Sequence, residues 1–339
     1  MNEQALMATA KALLANSKGI LAMDESTNTC NKRFAALGIP QTVDFRRAYR
    51  ELIITTPDIE NYISGLILYD ETIRQQKKDG TPFIKAILDA GMLPGIKVDL
   101  GAKDLAGHPD EKVTEGLDGL RDRLKEYVLM GARFAKWRGV ITTNDILPSM
   151  GCIAANAQAL ARYAALCQEV GLVPIVEMEL LMEGEHTIHQ CADVTEESLR
   201  AVFKELYLQN VMLEGIILKP NMVLAGISCK TQPTVRVVAN ATLKCLSRNV
   251  PAAVPGIAFL SGGQAAQLAT ERLNAMNSQH KLKLPWDLSF SFARAIQQPA
   301  LEIWKGEEAN IPAAQQALLH RAKSNTAARK GEYTIEMEK

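Results

Sequence analysis

The sequence predicts an α/β protein folded as a single (β/α)8 TIM barrel with additional N- and C-terminal helices. Eight short apolar runs recur along the 339 residues, helix-period stretches separate them, and no linker or change of composition divides the chain. A strand–helix unit needs about 30 residues or more, and these runs end 30 to 45 residues apart. Eight consecutive units favour one closed barrel over two doubly wound domains. Residues 1–339 are therefore expected to form one domain.

Each predicted strand is rich in β-branched and aromatic residues and is bounded by Gly, Pro or polar residues, as buried parallel strands are. In chain order the runs span 19–24, 64–70, 93–99, 131–139, 172–180, 213–221, 256–263 and 288–292. The alternative is a large open α/β sheet. Its usual nucleotide-binding forms are disfavoured, because no GxGxxG follows the first run and no GxxxxGK[ST] occurs.

Apolar residues at helical spacing lie between the runs. These stripes cover 117–128, 156–170, 196–208, 234–246, 264–276 and 293–304, and a final helix is expected over 313–328. Thr195 is expected to begin the helix over 196–208, because acidic residues fill the turn that follows it.

Composition and charge exclude several classes of protein. Hydrophobic residues make up 47% and charged residues 22% of the chain, which is typical of a globular protein. Lys+Arg and Asp+Glu both number 38, so a nucleic-acid or acidic-membrane surface is not expected. No apolar stretch is long enough for a transmembrane helix. The N-terminus resembles neither a signal nor a transit peptide, so a cytoplasmic protein is expected.

The six cysteines form no CxxC pair, and reduced, buried thiols are the preferred interpretation. One weak zinc candidate combines His186, His189 and Cys191. Their segment shows no helical apolar stripe, so solvated loop residues are the favoured alternative. No metal or other cofactor is therefore expected.

Charged residues of both signs gather at the predicted strand ends, where a barrel of this kind carries its chemistry. They are Asp24, Glu25, Lys97, Asp99, Lys136, Arg138, Glu177, Glu179 and Lys219. The pairs 97/99, 136/138 and 177/179 are two residues apart, so both members point to one side of the strand. A single charge of this kind is more simply explained by solvation, whereas charges on consecutive strands indicate a site.

Lys219 stands between an apolar strand and a proline, in IILKPN. Burial favours the neutral amine, and a neutral amine can form an imine with a carbonyl substrate. A nearby cation such as Lys136 would lower the pKa further, and Glu177 and Glu179 could move the protons of carbinolamine dehydration. The residues alone leave two matters open: which lysine is covalent, and whether the four charges form only a charge-balance network.

The segment LSGGQ (260–264) runs from the seventh strand into a helix and offers Ser261, Gly262 and Gly263 as an anion cradle. This fold usually binds phosphate after strands seven and eight, and Arg294 could contribute there. A second anion site is expected on the opposite rim, from Ser26, Lys32, Arg33, Lys97 and Arg138. For Lys32 and Arg33 a solvated helix start is the alternative.

Seven motifs resemble, in order and spacing, the class I (Schiff-base) fructose-1,6-bisphosphate aldolases: LAMDEST, GIKVD, GLDGL, FAKWR, IVEME, EGIILKPNMV and FLSGGQ. The resemblance covers about residues 10–333. It implies a metal-independent lyase, usually a homotetramer, of glycolysis and gluconeogenesis. Such an enzyme reversibly cleaves fructose 1,6-bisphosphate into dihydroxyacetone phosphate and glyceraldehyde 3-phosphate.

The resemblance also implies a role for each catalytic candidate. Lys219 would form the imine, and Lys136 would assist beside it. Glu177 would be the general acid and base, and Glu179 would orient the lysines. Asp24 would take the C4 hydroxyl proton.

The binding residues that the resemblance implies lie on two rims. Those of the C1 phosphate are Ser261, Gly262, Gly263 and Arg294, with Ser291 nearby. Those of the substrate chain and the C6 phosphate are Ser26, Arg33, Lys97 and Arg138.

Three features depart from the family pattern. Met178 stands where the family usually has proline, and Ala293 replaces a glycine near the phosphate, which could shift the cradle. The short C-terminal tail, about 332–339, lacks the terminal tyrosine that assists proton exchange in tailed relatives. Tyr333 aligns with an earlier tyrosine, so another group or water is expected to perform this exchange, more slowly.

The sequence leaves three alternative functions to consider. Another Schiff-base barrel enzyme, such as a transaldolase or a deoxyribose-phosphate aldolase, would need only one phosphate site. A scaffold protein would bind cytoskeletal or other partners, as relatives bind actin, but it would not need every catalytic residue type. A zinc-dependent class II aldolase would need clustered histidines, and the five here lie mostly far from strand ends.

Overall fold

The structure is a computed structural model that describes residues 2–280 and 284–339. Eight parallel strands close into a barrel in chain order, with the last strand beside the first. They are β1 (Gly19–Ala22), β2 (Ile63–Leu68), β3 (Leu93–Lys97), β6 (Phe134–Ile141), β7 (Val173–Leu180), β8 (Ile217–Pro220), β9 (Gly256–Phe259) and β10 (Asp287–Phe292). The predicted (β/α)8 barrel is confirmed.

Twelve α-helices occur in the described ranges. They are α1 (Glu3–Leu14), α2 (Thr27–Ala35), α3 (Val43–Ile54), α4 (Asp70–Ile73), α5 (Phe83–Asp89), α6 (Leu120–Met130), α7 (Met150–Glu169), α8 (Ile188–Leu208), α9 (Val235–Asn249), α10 (Ala266–His280), α11 (Arg294–Trp304) and α12 (Ile311–Lys330). Side-chain oxygens of Ser26, Thr42, Ser149 and Thr234 accept a backbone N–H at the starts of four of them, which fixes where those helices begin. None of the described helices is both long and apolar enough to span a bilayer.

Helix α1 closes the amino-terminal end of the barrel. Leu6, Leu13 and Leu14 are buried there against inward-facing residues of the strands, among them Ile20 and Phe134. This plug leaves the opposite end, where the strands finish, as the open mouth. The larger hydrophobic cluster lies between the strands and the surrounding helices.

The prediction that a helix begins at Thr195 was wrong. Helix α8 begins at Ile188, because Thr187 accepts the backbone N–H of Gln190 while the Gln190 side chain accepts that of Thr187. Thr195 is buried in the middle of α8. The interpretation of His189 and Cys191 as solvated loop residues is corrected too: both lie on α8, and Cys191 is buried.

Five of the eight strands, β1, β2, β3, β8 and β9, end earlier than predicted, whereas β6 continues to Ile141. Strand β1 ends at Ala22 and β9 at Phe259, so Asp24 and the turn at 261–263 lie on loops at the mouth. Residues 213–215 form a 3-10 turn before β8. An antiparallel hairpin of β4 (Ala102–Asp104) and β5 (Lys112–Thr114), which the sequence analysis did not predict, stands beside the mouth.

Candidate active site

A cavity of about 780 Å³ opens at the carboxyl ends of the strands. Its lining includes every catalytic candidate: Asp24, Lys136, Glu177, Glu179 and Lys219. It also includes every binding candidate except Gly263 and Lys32, namely Ser26, Arg33, Lys97, Arg138, Ser261, Gly262, Ser291 and Arg294. Lys32 is exposed on α2, as the alternative of a solvated residue predicted. The strand-end charges therefore converge on one cavity, as the spacing predicted.

Two lysines share one carboxylate at the base of the cavity. Glu177 lies beside Lys219 in the register of β7 and β8, and the Lys219 Nζ is 3.3 Å from Glu177 Oε1. The Lys136 Nζ lies 2.9 Å from Glu177 Oε2 and 2.8 Å from Asp24 Oδ2. All four side chains are almost completely buried. Lys136 therefore has two carboxylate partners, whereas Lys219 has one at a longer distance.

This difference separates the two amines chemically. Burial lowers the pKa of Lys219, and the Lys136 ammonium lowers it further, while Glu177 opposes both effects only in part. Burial also acts to lower the pKa of Lys136, but the carboxylates of Asp24 and Glu177 outweigh it and raise that pKa. Lys219 is thus the amine that more readily becomes a neutral nucleophile.

The two carboxylates stay ionised despite their burial. Burial raises the pKa of Asp24, but Lys136 and Lys219 outweigh it and bring that pKa down to about 2. The pKa of Glu177 is also lowered, because the same two ammonium groups overcome the effect of burial. Both groups can therefore accept protons at neutral pH.

Glu179 contacts Arg138 rather than a lysine. The Arg138 Nε donates to Glu179 Oε2, one strand away in the barrel. Among the described residues Glu179 forms no ion pair with Lys136 or Lys219. Any effect of Glu179 on the lysines is therefore indirect.

Lys97 is held at the cavity wall by Asp99. Its Nζ lies 2.6 Å from Asp99 Oδ1 and donates to the Asp99 carbonyl at 2.8 Å. The Asp99 carboxylate also accepts the backbone N–H groups of Gly101 and Arg138. Asp99 thus ties the end of β3 to the hairpin and to β6.

Arg33, on α2 beside α11, is engaged in an ion pair. Its guanidinium donates to Glu25, and at 3.1 Å to Gln298. Arg50 on α3 holds the other Glu25 oxygen at 2.7 Å. Arg33 must therefore leave Glu25 if it is to bind a phosphate. Ser26, the N-cap of α2, also lines the cavity.

Two arginines at the site were not predicted from the sequence. Arg50 binds Glu25, and Arg74 lines the cavity and pairs with Asp70 and Glu126. For Arg50 a signal was present: it falls on the buried face of α3, four residues after Arg46 and next to Tyr49. A charged residue on an apolar face indicates a buried ion pair.

The turn after β9 lies beside the cavity and has two backbone N–H groups, those of Gly262 and Gly263, that donate no hydrogen bond within the described part of the chain. These two residues have positive φ angles of 57° and 78°, which favour glycine. Arg294 has no acidic partner among the described residues, and a Cβ at Gly263 would lie 3.3 Å from its Nη2. The buried hydroxyl of Ser291 also has no hydrogen-bond partner. These groups can bind an anion.

No set of three or more His, Cys, Asp and Glu side chains in residues 2–280 and 284–339 is arranged to hold a metal ion. The three residues of the zinc candidate do not form one.

The fold and the site define the class of protein: a (β/α)8-barrel enzyme with a buried amine among carboxylates and an anion-binding turn beside it. A family model described as fructose-bisphosphate aldolase class-I matches residues 5–339. The chain belongs to the class-I fructose-bisphosphate aldolase family and is a lyase.

Individual relatives agree with this assignment. The probable fructose-bisphosphate aldolase class 1 of Xanthomonas campestris pv. campestris is 56% identical, over 98% of this chain and 99% of that protein. The cytosolic fructose-bisphosphate aldolase 6 of Arabidopsis thaliana is 52% identical, over 97% of this chain and 91% of that protein. The crystal structure of fructose-bisphosphate aldolase from Plasmodium falciparum, in complex with TRAP and a small-molecule inhibitor, matches with a TM-score of 0.96. It is 44% identical, and the match covers 98% of this chain and 95% of that one.

Proposed function

We propose that this enzyme reversibly cleaves fructose 1,6-bisphosphate into dihydroxyacetone phosphate and glyceraldehyde 3-phosphate through an imine on Lys219. The observation that carries the proposal is the asymmetry between the lysines: Lys219 has a lowered pKa and one carboxylate neighbour, and Lys136 has a raised pKa and two. Glycolysis and gluconeogenesis are the setting that this reaction implies.

The reaction begins with attack of the neutral Lys219 amine on the C2 carbonyl of the sugar. Glu177, which is ionised at rest, takes the proton that Lys219 gives up on becoming neutral. It then supplies this proton to the carbinolamine hydroxyl, which leaves as water, and a protonated imine remains. The Lys136 ammonium lies 2.9 Å from Glu177, stays charged, and stabilises that carboxylate once it has given up the proton. One carboxylate thereby serves both amines.

Asp24 acts as the general base for carbon–carbon cleavage. This carboxylate takes the C4 hydroxyl proton, the C3–C4 bond breaks, and its electron pair moves into the protonated imine to give an enamine. Glyceraldehyde 3-phosphate leaves as an aldehyde. Protonation of the enamine at C3 and hydrolysis of the imine then release dihydroxyacetone phosphate and restore Lys219.

The two phosphates bind at opposite rims of the cavity. Ser261, Gly262, Gly263 and Arg294, with Ser291 nearby, hold the C1 phosphate. Ser26, Arg33, Lys97 and Arg138 bind the substrate chain and the C6 phosphate. In this scheme Glu179 holds Arg138 in position. This role explains why Glu179 lies near the two lysines without contacting either of them.

Proton exchange on the enamine needs a group other than Tyr333. The Tyr333 hydroxyl is buried and donates to Glu338 at 2.8 Å, and Tyr333 is not among the residues lining the active-site cavity. We propose that water or another cavity group performs this step.

The remaining proposals concern the whole chain. Residues 1–339 form one domain that assembles as a homotetramer. The domain works in the cytoplasm, a location that the names of two plant relatives give for those proteins. Binding of a partner protein is a second function, supported by the Plasmodium relative, whose structure is described in complex with TRAP.

The test is a cleavage assay in excess chelator with borohydride added after substrate. We expect activity to persist in chelator, and borohydride to inactivate the enzyme only when dihydroxyacetone phosphate is present. Lys219→Ala should lose activity, and the matched control Lys244→Ala, at an exposed lysine on α9, should keep it. Loss of activity in chelator, or full activity of Lys219→Ala, would contradict the proposal.

A further inference from the structure

A buried arginine without an acidic partner lies behind the anion-binding turn. Arg272 on α10 is 5% exposed. Its Nη1 donates to Gln264 Oε1 at 2.7 Å, and its Nε is buried without a hydrogen-bond partner. No Asp or Glu of residues 2–280 and 284–339 forms an ion pair with it. Burial lowers the pKa of Arg272 to about 10, and Glu271 opposes this shift only weakly.

Other buried arginines differ in this respect. Arg50 and Arg321 have carboxylate oxygens at 2.7 and 2.5 Å, and Arg329 has one at 3.5 Å. A buried cation is unfavourable unless an anion compensates it, and an uncompensated one is seldom retained for stability. The stability of the fold therefore does not explain the buried charge of Arg272, and we infer that this charge has a functional role.

Gln264 connects Arg272 to the turn. The Gln264 backbone N–H and side-chain Nε2 both donate to the Ser261 carbonyl, at 3.1 and 2.9 Å. Because Arg272 occupies Gln264 Oε1, the amide must direct its Nε2 toward Ser261. The Ser261 carbonyl is thereby held by Gln264. The backbone N–H groups of Gly262 and Gly263 remain available to a ligand.

We propose that Arg272 is a positioning residue for phosphate at the turn 261–263: it orients Gln264, and it supplies a buried positive charge that the phosphate of a bound triose phosphate compensates. This inference rests on the proposed function and adds to it a residue outside the cavity. A charge held in low dielectric acts more strongly on a nearby anion than one in water. Arg272 therefore strengthens phosphate binding without touching the substrate.

The test compares Arg272→Met with the wild-type full chain, with dihydroxyacetone phosphate as the probe. We expect its affinity, measured by calorimetry, to fall about tenfold, as loss of one close buried charge would produce. KM for fructose 1,6-bisphosphate should rise by a similar factor while kcat changes less than about twofold. Trapping of unphosphorylated dihydroxyacetone by borohydride should proceed at the wild-type rate, because Lys219 is unaffected.

Two further variants keep the test specific. Arg329→Met removes a buried arginine at the other end of the barrel, where the guanidinium binds the carbonyls of Leu14 and Lys18, and should leave affinity for dihydroxyacetone phosphate unchanged. Gln264→Glu gives Arg272 an acidic partner and should weaken binding even if Arg272→Met does not fold. Arg272→Met removes the cost of burying a cation without an anion, which acts against the loss of the hydrogen bond to Gln264, so we expect the variant to fold.

The outcomes separate the two proposals. Wild-type affinity in both Arg272→Met and Gln264→Glu would overturn the role of Arg272 and leave the proposed function intact. Equal loss of dihydroxyacetone phosphate binding and of dihydroxyacetone trapping would also overturn it, because that result indicates a general defect. A wild-type chain that does not bind dihydroxyacetone phosphate would overturn the proposed phosphate site itself.

Discussion

Lys136 on β6 and Asp24 on the loop after β1 form a 2.8 Å ion pair across the barrel mouth, although β1 and β6 are not neighbouring strands. This pair keeps one of the two buried amines charged. It also leaves Lys219 with a single carboxylate contact, at 3.3 Å to Glu177. The nucleophile and the cation beside it are therefore distinguished by where the carboxylates lie, not by burial, which is nearly equal for the two lysines.

Lys136→Met should move imine formation to higher pH. Removal of a neighbouring cation raises the pKa of Lys219, so a smaller fraction of the amine is neutral at pH 7. The rate of borohydride trapping with dihydroxyacetone phosphate, measured against pH, should have its acid limb displaced upward. Lys136→Arg keeps the charge and serves as the control. An unmoved acid limb in Lys136→Met would show that Lys136 does not set this pKa.

Asp24→Asn should separate cleavage from imine formation. The pKa of Asp24 is about 2, so it is an ionised base throughout the neutral range. Loss of one general base typically lowers a rate by about 10² to 10⁴. We expect fructose 1,6-bisphosphate cleavage to fall by this factor while dihydroxyacetone phosphate is still trapped on Lys219. Parallel loss of both reactions would indicate a structural defect instead.

The ionised carboxylates should stabilise the fold above pH 4 and lose this effect in acid. Asp24 has a pKa of about 2 in the folded chain against 3.8 as its ordinary value. A depressed folded-state pKa contributes stability above the unfolded value and loses it as the pH falls through the folded one. This amounts to about 2 kcal/mol between about pH 4 and 2. Glu177 and Glu25 act in the same direction.

Urea unfolding at pH 6 and pH 3 measures this effect. The free energy of unfolding should fall on acidification, and it should fall by less in Asp24→Asn than in the wild type. The same decrease in both proteins would show that Asp24 does not contribute.

Gly263→Ala should weaken phosphate binding through strain and contact together. The φ of 78° favours glycine, and an alanine there costs about 1 kcal/mol. Its Cβ would also lie 3.3 Å from the Arg294 guanidinium. Gly38→Ala is the matched control, because Gly38 has a φ of 70° and no atom within 4 Å of the added Cβ. Both variants should lose similar stability, and only Gly263→Ala should lose affinity for dihydroxyacetone phosphate, by several-fold.

The strand periodicity of the sequence was sufficient to place the charges at one mouth. Residues 136 and 138, like 177 and 179, face the same side of a strand, so each pair enters the cavity together. Which charged groups form ion pairs with each other could not be predicted in the same way. Contact between Asp24 and Lys136 depends on how the closed barrel brings opposite strands together, and no local pattern encodes that distance.

Helix starts and long-range ion pairs were the less predictable features. The Thr187–Gln190 capping box is present in the sequence and is a local signal for the start of α8, whereas the acidic turn after Thr195 lies inside that helix. The ion pair between Arg33 and Glu25 depends on Arg50 from another helix. Such tertiary contacts cannot be predicted from local sequence propensities. They decide which arginine at the site is already paired with a carboxylate, as Arg33 is.

Peptide mapping of the trapped adduct tests the central claim most directly. The enzyme is incubated with dihydroxyacetone phosphate in excess chelator and reduced with borohydride, and the modified peptide is identified by mass spectrometry. Reduction converts an imine to a stable secondary amine and so marks the nucleophile. The account predicts the adduct on Lys219, in the segment IILKPN, with none on Lys136. An adduct on Lys136, or no adduct from an enzyme that still cleaves its substrate, would contradict it.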